Sequence, residues 1–426
     1  MKTKNRWLIA CSAIAIHLSI GSAYAYSVFK NPLSDKLGWE STQVALSFTI
    51  AIFFLGMSAA TFGQFVEKRG PRVSARLAAC LFASGMIGSG ISIAAGSLIG
   101  YYISYGVLGG MGLGLGYISP VSTLVKWFPD KRGLATGMAV MGFGAGSLIA
   151  SPVAAELIVS VGISNTFYIL GACYFVLMFS GASYISKPPE GWAPASTKKQ
   201  PNKVKPVMKN KDLAQLTSNE AAKTARFWLL WIMMFINISA GIMLISVASP
   251  MAQNKVGMTA VAAATMVGIM GLFNGGGRIG WAALSDYLGR SNVYIGFFVV
   301  QLIAFLILPS VSNPVIFQAL IFIILTMYGG GFAMLPAFIG DLFGTKQLSA
   351  IHGYLLTAWS MAGIAGPLIV AYIYDSTNSY DKTFYIFAIM LALALCTSII
   401  MKLNIRKIEA KSQDTQQPKV SVSIVD

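Results

Sequence analysis

Apolar residues in this chain do not recur on one face of an amphipathic period; they run on for about twenty positions at a time and then break into short polar stretches. A helix rises about 1.5 Å per residue, and inside about 30 Å of hydrocarbon every backbone N–H and C=O must be satisfied within the segment. Each run is therefore long enough to cross a bilayer as a helix. Twelve such spans are predicted, over 7–28, 42–66, 73–95, 99–125, 133–155, 164–185, 227–250, 259–283, 292–310, 314–339, 350–374 and 382–402. They are numbered spans 1 to 12 below.

The one long polar interruption, 186–226, holds Pro188, Pro189, Pro194, Pro201 and Pro206 among nine Lys/Arg and is too polar to enter a membrane. It divides the chain into an N-terminal six-helix bundle (1–186), a cytoplasmic linker (187–226), a C-terminal six-helix bundle (227–403) and a cytoplasmic tail (404–426). Lys2, Lys4 and Arg6, the apolar run behind them and Ala23-Tyr24-Ala25 imitate a cleavable leader. The run is longer than a leader's apolar core, and its removal would leave eleven spans and unpair the halves, so it is read as span 1.

Composition excludes the soluble classes. Of 426 residues 55% are hydrophobic and 11% charged, against about 25% charged in ordinary globular domains. The expected fold is an all-α polytopic membrane protein. The four cysteines, Cys11, Cys80, Cys173 and Cys396, lie unpaired in apolar runs, so neither a disulfide framework nor a metal site is expected. No GxxxxGK[ST] string is present, which argues against an ATP-driven pump, and no cofactor is expected.

The net charge of +16 sorts by loop. With both termini in the cytoplasm, the exterior holds four Lys/Arg (Lys30, Lys36, Lys255, Lys382) and Arg278 lies within a span, leaving 31 − 4 − 1 = 26 on the inside; the acids divide ten inside and five outside. The bias rests on Lys/Arg, as the positive-inside rule requires. A multi-pass protein of the cell membrane with cytoplasmic termini is expected, and nucleic acid is not needed to explain the charge.

The two halves repeat. GQFVEKRGPR (63–72) follows span 2 and AALSDYLGR (282–290) follows span 8, with Glu67 and Asp286 separated by 286 − 67 = 219 positions. Pro120 and Pro336 are 336 − 120 = 216 apart, as are Gly137 and Gly353, and three concordant offsets indicate a duplicated six-helix unit. Gly63, Glu67, Gly70 and Arg72 resemble the loop motif between helices 2 and 3 of the major facilitator superfamily, and Asp286, Gly289 and Arg290 resemble its partial copy between helices 8 and 9. Glu67 stands where aspartate is commoner, and Ala282 where the second copy would have its first glycine. The resemblance implies a conformational clasp made from acids at helix ends and nearby cations. SAYAYSVFKNPL (22–33), KWFPDKRGLATG (126–137), GLFNGGGRIGWAALSDYLGR (271–290) and GGGFAMLPAFIGDLFG (329–344) are similar to the oxalate/formate antiporter branch, which includes bacterial monocarboxylate transporters. That similarity covers the membrane portion and implies a major facilitator fold.

Arg278 is the one ionised side chain well inside a span. Eight residues from Asp286, it lies about 12 Å in from the loop at about 1.5 Å per residue. A central arginine costs about 2.5–3.5 kcal/mol even on the lenient insertion scale, and a carboxylate substrate is its natural counter-ion; the alternative is an arginine bonded to backbone carbonyls or reaching to the water interface. Asn274, four residues earlier on the same face, could reach the same anion or tie helices together. Gly275, Gly276 and Gly277 remove bulk beside the arginine. The family resemblance implies that spans 1, 4, 7 and 10 line a central cavity and that Tyr24, Tyr117, Tyr328 and Phe332 match aromatics around the carboxylate. Oxalate-exchanging members place a lysine in span 11 where alignment of GYLLTAWSMAGIAGP (353–367) puts Trp359. One cation leaves half of a dianion uncompensated, which favours a monocarboxylate such as lactate, pyruvate or formate.

No carboxylate sits mid-span to carry a proton. His17 in span 1 is open between a proton relay and a packing residue, while His352 at a span end carries little signal. The glycines Gly142, Gly144, Gly146, Gly363 and Gly366 with Pro367 read as packing and bending sites. The expectation is a monomeric secondary transporter, whose partners are a small organic anion, a proton in the symport case, and the lipid bilayer. Its rivals are an oxalate/dicarboxylate:formate antiporter or other organic-anion transporter of the same fold, and a carboxylate receptor that does not transport. An enzyme is not expected, since no mid-span constellation pairs a nucleophile with a base.

Overall fold

The computed structural model describes residues 4–189, 192–194 and 212–416. Of the linker expected at 187–226, residues 190–191 and 195–211, and of the tail expected at 404–426, residues 417–426, lie outside the described residues. The described residues form helices and no strands. Span 1 is Arg6–Gly21, a tighter turn Ser22–Ala25 and Ser27–Leu37. Spans 2 and 3 are Ser41–Arg69 and Pro71–Ala94, and span 4 joins Leu98–Tyr101, a wide π-turn segment Tyr102–Gly109 and Gly110–Trp127. Spans 5 and 6 are Arg132–Val161 and Ile163–Tyr184. The second half runs Ala225–Val256, Ala260–Leu288, Arg290–Ile307, Pro314–Phe343, Leu348–Thr377 and Asp381–Gln416 for spans 7 to 12. Eleven of these are long and apolar enough to cross a membrane, and Ala260–Leu288, at 29 residues, completes twelve.

The ends of the helices have local causes. Thr224 and Thr259 accept main-chain N–H bonds at the starts of spans 7 and 8, and Asn313 does so before Pro314, whose missing N–H is no loss at a first helical position. Gly70 and Gly289, the motif glycines, have φ of +83° and +84°, a region glycine enters without a Cβ penalty. They turn the chain between spans 2 and 3 and between spans 8 and 9 with no intervening loop. Span 12 exceeds its expected limit of 402 because the basic residues that follow, Lys402, Arg406 and Lys407, are good helix formers with no glycine or proline among them.

Successive spans run in opposite directions, so their connections collect at two ends. Arg6 pairs with Asp130 at 2.8 Å at one end, and Lys255 with Asp381 at 2.5 Å at the other. The first end, which carries most of the Lys/Arg, is called the basic face.

The halves meet through two matched helix pairs, span 2 with span 11 and span 5 with span 8. The repeated glycines explain the closeness. A Cβ on Gly353 would lie 1.9 Å from the Ala59 carbonyl oxygen, and one on Gly137 would lie 2.8 Å from the Arg278 carbonyl oxygen. A Cβ on Gly63 would come within 2.5 Å of Ala350 Cα, and one on Gly133 within 2.0 Å of the Ala282 carbonyl oxygen. The two copies thus use the same glycine–alanine contact with the partners exchanged, which accounts for Ala282 where the motif has glycine. Among the three glycines before Arg278, only Gly277 is crowded, with Thr326 of span 10; Gly275 and Gly276 have nothing within 4 Å of an added Cβ.

Gly353→Ala must separate spans 2 and 11 and is expected to cost about 1–3 kcal/mol, the usual range for overpacking. Gly268→Ala, whose added Cβ meets nothing within 4 Å, serves as the control. Thermal unfolding in detergent should show a lowered midpoint for the first and none for the second.

Candidate functional site

Arg278 is 2% exposed in span 8, facing the junction of the two halves. Its Nη1 donates to the Val140 carbonyl of span 5 at 2.8 Å, and its Nε to Asn274 Oδ1, one turn earlier, at 3.3 Å. Two neighbours are shaped to admit it. A Cβ on Gly144 would lie 3.7 Å from the guanidinium, and one on Gly329 would lie 2.6 Å from Asn274 Oδ1 and 3.1 Å from Arg278 Cγ. Among the described residues no carboxylate lies within ion-pair reach of it. The arginine is therefore held by neutral acceptors, the backbone-carbonyl arrangement that was one of its two expected readings, and the bonds to Val140 and Asn274 engage only two of five guanidinium N–H donors. The protein solvates the cation without neutralising it.

Aromatic rings wall this site. Tyr24 of span 1 meets Phe143 of span 5 edge-on at 4.9 Å between centroids, and Arg278 Cζ lies 5.9 Å from that same Phe143 ring. Tyr117 of span 4 touches Phe143 at 5.8 Å and Trp359 of span 11 at 5.6 Å. Phe332 of span 10 packs edge-on against Trp359 at 4.6 Å and Tyr328 at 5.5 Å. Tyr24, Tyr117, Tyr328, Phe332 and Trp359, far apart in sequence, thus converge beside Arg278 and Asn274. The Tyr24 and Tyr117 hydroxyls and Trp359 Nε1 are buried without hydrogen-bond partners. Each orphaned donor costs about 1–3 kcal/mol, and such groups gathered round an uncompensated cation suit a small polar anion.

Two wall residues escaped the sequence reading. Phe143 is a lone aromatic between Gly142 and Gly144, and that contrast in size was the available signal. His352, which had seemed only a span-end residue, is fully buried, and its ring lies 5.7 Å from Tyr117. His17 approaches the opposite side of Tyr117 at 5.3 Å.

The repeated motif forms the clasp at the basic face. Glu67 Oε1 accepts from the Ser349 N–H at 2.8 Å, at the start of span 11, and Glu67 Oε2 pairs with Lys126 at 3.1 Å. Asp286 accepts from the Gly133 and Leu134 N–H groups at 2.9 and 3.1 Å, at the start of span 5, and pairs with Arg290 at 2.6 Å. Each motif acid in one half thereby caps a helix N-terminus in the other, where unpaired N–H groups and the helix dipole favour an anion. Arg72, by contrast, stays within its own half and donates to the Ile185 carbonyl at 3.4 Å.

A further ion-pair chain runs beside it. Arg132 contacts Asp212 at 2.6 Å and Asp341 at 3.0 Å, and Asp341 also lies 3.0 Å from Arg290. Asp212 belongs to the segment expected from sequence to be a polar cytoplasmic linker. Its end is built in: the Leu213 and Leu216 N–H groups donate to the Asp341 and Phe343 carbonyls, both at 2.9 Å, and a short helix Ser218–Ala222 follows. Hydrogen bonds between the halves continue up from this face through Thr136 to the Ala333 carbonyl, at 2.7 Å, to the levels of Arg278–Val140 and of Ser360–Phe53, at 2.9 Å.

Two helical halves that meet around a buried site, joined at one face by breakable polar contacts, define a multi-pass membrane transporter. The chain belongs to the Major Facilitator Superfamily, whose family model matches residues 12–335 and 277–425. It is 30% identical over 406 residues to an oxalate:formate antiporter of Oxalobacter formigenes, covering 94% of this chain and 93% of that protein. Monocarboxylate transporter 10 of Mus musculus is 26% identical over 401 residues, 89% of this chain and 75% of that protein. Among solved structures, the major facilitator transporter FucP in its outward conformation superposes with a TM-score of 0.70 over 92% of this chain and 98% of its own, at 13% identity, a likeness of fold.

Neutralising Asp286 and Asp341 together (Asp286→Asn, Asp341→Asn) strips the Arg132–Arg290 region of two of its anions and is expected to loosen the clasp. With Val140→Cys introduced into a background where Cys11, Cys80, Cys173 and Cys396 are serine, a polar thiol reagent supplied at the basic face should label faster by about tenfold or more, the equivalent of about 1.4 kcal/mol.

Proposed function

We propose that this transporter moves a small monocarboxylate such as lactate, pyruvate or formate by alternating access, with Arg278 as the anchor for the carboxylate. The observation that carries the reading is a cation buried mid-span, bonded among the described residues to neutral groups and enclosed by aromatic rings. A carboxylate supplies the missing negative charge and accepts paired N–H bonds; Tyr24 and Tyr117 offer hydroxyls, and Phe143, Phe332 and Trp359 take up a short carbon body. Asn274 orients the guanidinium through Nε. The monocarboxylate transporter among its relatives supports the same substrate class.

The lysine that the oxalate-exchanging branch places in span 11 is replaced here by Trp359, whose indole touches Phe332 and Tyr117. A second carboxylate would then lie against rings in low dielectric with no cation of its own, at a cost of several kcal/mol. The 30% identity with an oxalate:formate antiporter favours the rival substrate, so competition by oxalate separates the two.

On this reading the basic face is cytoplasmic, as the distribution of Lys/Arg requires, and both termini lie there. The halves 1–186 and 227–403 rock about the site, joined by the linker 187–226, with the tail 404–426 beyond. Glu67, Asp286 and the Arg132–Asp341–Arg290 chain hold the cytoplasmic side shut and must part for inward opening.

Two measurements test the assignment. Arg278→Ala removes a charge-assisted contact of about 1.5–3 kcal/mol and is expected to weaken lactate counterflow in proteoliposomes by about tenfold to a hundredfold; Arg278→Lys, which loses the planar fork, should also be impaired. Unchanged counterflow would remove Arg278 from the site. Excess oxalate is expected to leave radiolabelled lactate uptake unaffected in the wild type and to compete in Trp359→Lys; competition in the wild type would refute the single-cation argument.

A further inference from the structure

One arginine of the repeated motif is left out of the clasp. Gly70 and Gly289 stand 289 − 70 = 219 positions apart, and Arg290 follows its glycine directly; in the first copy Pro71 takes that place and the arginine comes one residue later, at Arg72. One residue is about 100° around a helix. Arg290 is thus buried against Asp286 and Asp341, while Arg72 is turned out of the clasp onto the end of span 6 and is exposed. Arg76, four residues on, shares its face of span 3.

Three cations gather there from two parts of the chain. Lys4, just before span 1, donates to the Tyr184 carbonyl at 2.5 Å; Arg72 Nε donates to the Ile185 carbonyl at 3.4 Å and Arg76 Nη2 to the Ser183 hydroxyl at 3.3 Å. Ser183, Tyr184 and Ile185 are consecutive, so the three charges surround one helix end. Among the described residues no carboxylate pairs with any of them, and Arg76 Nε is buried with no partner. Capping the end of span 6 accounts for part of the arrangement, since a helix C-terminus carries roughly half a negative charge. Against three full positive charges that leaves most of the potential in place. Arg72 and Arg76 are also like charges one turn apart at the start of span 3, where the helix dipole is itself positive. Lys4 responds to the crowding: loss of water, and then the Arg72 charge, push its pKa down.

We infer that Lys4, Arg72 and Arg76 form a binding site for the phosphate of an anionic phospholipid in the leaflet at the basic face. A phosphodiester offers paired oxygens to the guanidinium forks and to the ammonium, and engages the donors that the protein leaves free. A lipid is favoured over free phosphate by what lies beneath the cluster. The Arg76 guanidinium stands 5.1 Å from the Phe179 ring; one turn deeper, Cys80 of span 3 and Phe175, which packs on Phe179 at 5.3 Å, are exposed and present an apolar track for an acyl chain. A net anionic headgroup is favoured over a zwitterionic one because the cluster has no carboxylate to hold a choline or ethanolamine ammonium. The site differs from the general excess of Lys/Arg on this face, which orients the chain without requiring any geometry. The bound phosphate ties the chain before span 1 to spans 3 and 6, whichever anion Arg278 takes.

The test uses the full chain, purified in detergent and stripped of lipid, with native mass spectrometry counting phosphatidylglycerol or phosphatidylcholine added back at equal concentration. The wild type is expected to retain phosphatidylglycerol about tenfold or more over phosphatidylcholine. The double variant Arg72→Gln, Arg76→Gln should lose that preference, whereas Lys68→Gln, Arg69→Gln, which removes two exposed cations from the same face, should keep it. Equal retention of the two lipids by the wild type would overturn the inference, and so would an equal loss in both double variants, which would leave overall charge as the cause. Arg76→Gln alone is expected to lower retention about fivefold, and Arg72→Lys, Arg76→Lys, which keeps the charge, to preserve most of it; these milder variants decide the matter if the first fails to fold. Displacement of phosphatidylglycerol by inorganic phosphate would assign the cluster to a free phosphate and overturn the lipid reading.

Discussion

A cation stabilised but not neutralised inside a membrane bundle organises this protein. Taking an arginine out of water is tolerable only if its N–H groups find acceptors, and Arg278 finds one in the other half of the molecule, the Val140 carbonyl, and one on its own helix, Asn274. Because the first bond crosses the junction, the charge and the contact between the halves are one structural problem. The glycines around it answer that problem: Gly144 leaves room for the guanidinium, Gly329 lets span 10 lie against Asn274, and Gly137 brings span 5 onto span 8. What the fold leaves unanswered is the charge itself, and that residual potential is what an anion can use.

The duplication explains how the two halves are held together beside such a site. Each half presents one acid to the N-terminus of a helix in the other, Glu67 to span 11 and Asp286 to span 5, and each contact sits beside a glycine–alanine crossing. Hydrogen bonds from a carboxylate to main-chain N–H groups at a helix start are strong when made, yet both partners can be hydrated when parted, since they lie at the end of the bundle. The seams along spans 2 and 11 and spans 5 and 8 lie deeper in the bundle and pack small residues against main chain, with the Ser360–Phe53 and Arg278–Val140 bonds within them. On the proposed reading the polar clasp is the part that opens, and the small-residue seams are the pivots. Asp212, by drawing the end of the linker onto Arg132, ties the connection between the halves to the same clasp.

Much of this was legible before any coordinates. The spans, the repeat and the isolation of Arg278 follow from apolar run length and the positions of charges, because hydrocarbon enforces simple rules on both. The partners of Arg278 were not legible: a carbonyl looks the same at every position, and nothing in the string marks Val140. Phe143 and His352 were overlooked for a related reason, since an aromatic or a histidine in an apolar run announces burial and not its neighbours. The linker was read as polar spacer, which its composition suggests, whereas Asp212 and the leucines after it are ordered by contacts with the end of span 10.

The sequence by itself determined that this chain is a twelve-helix membrane protein, that it is built twice over, and which charge it carries deep within a span, for the cost of polar groups in hydrocarbon depends on length and type alone. Tertiary structure decided the rest: which carbonyl receives that charge, which rings from spans 1, 4, 5, 10 and 11 enclose it, and that His17 and His352 stand on either side of Tyr117. Those are matters of distance between segments hundreds of residues apart, and distance is set by how glycines and alanines let the helices pack.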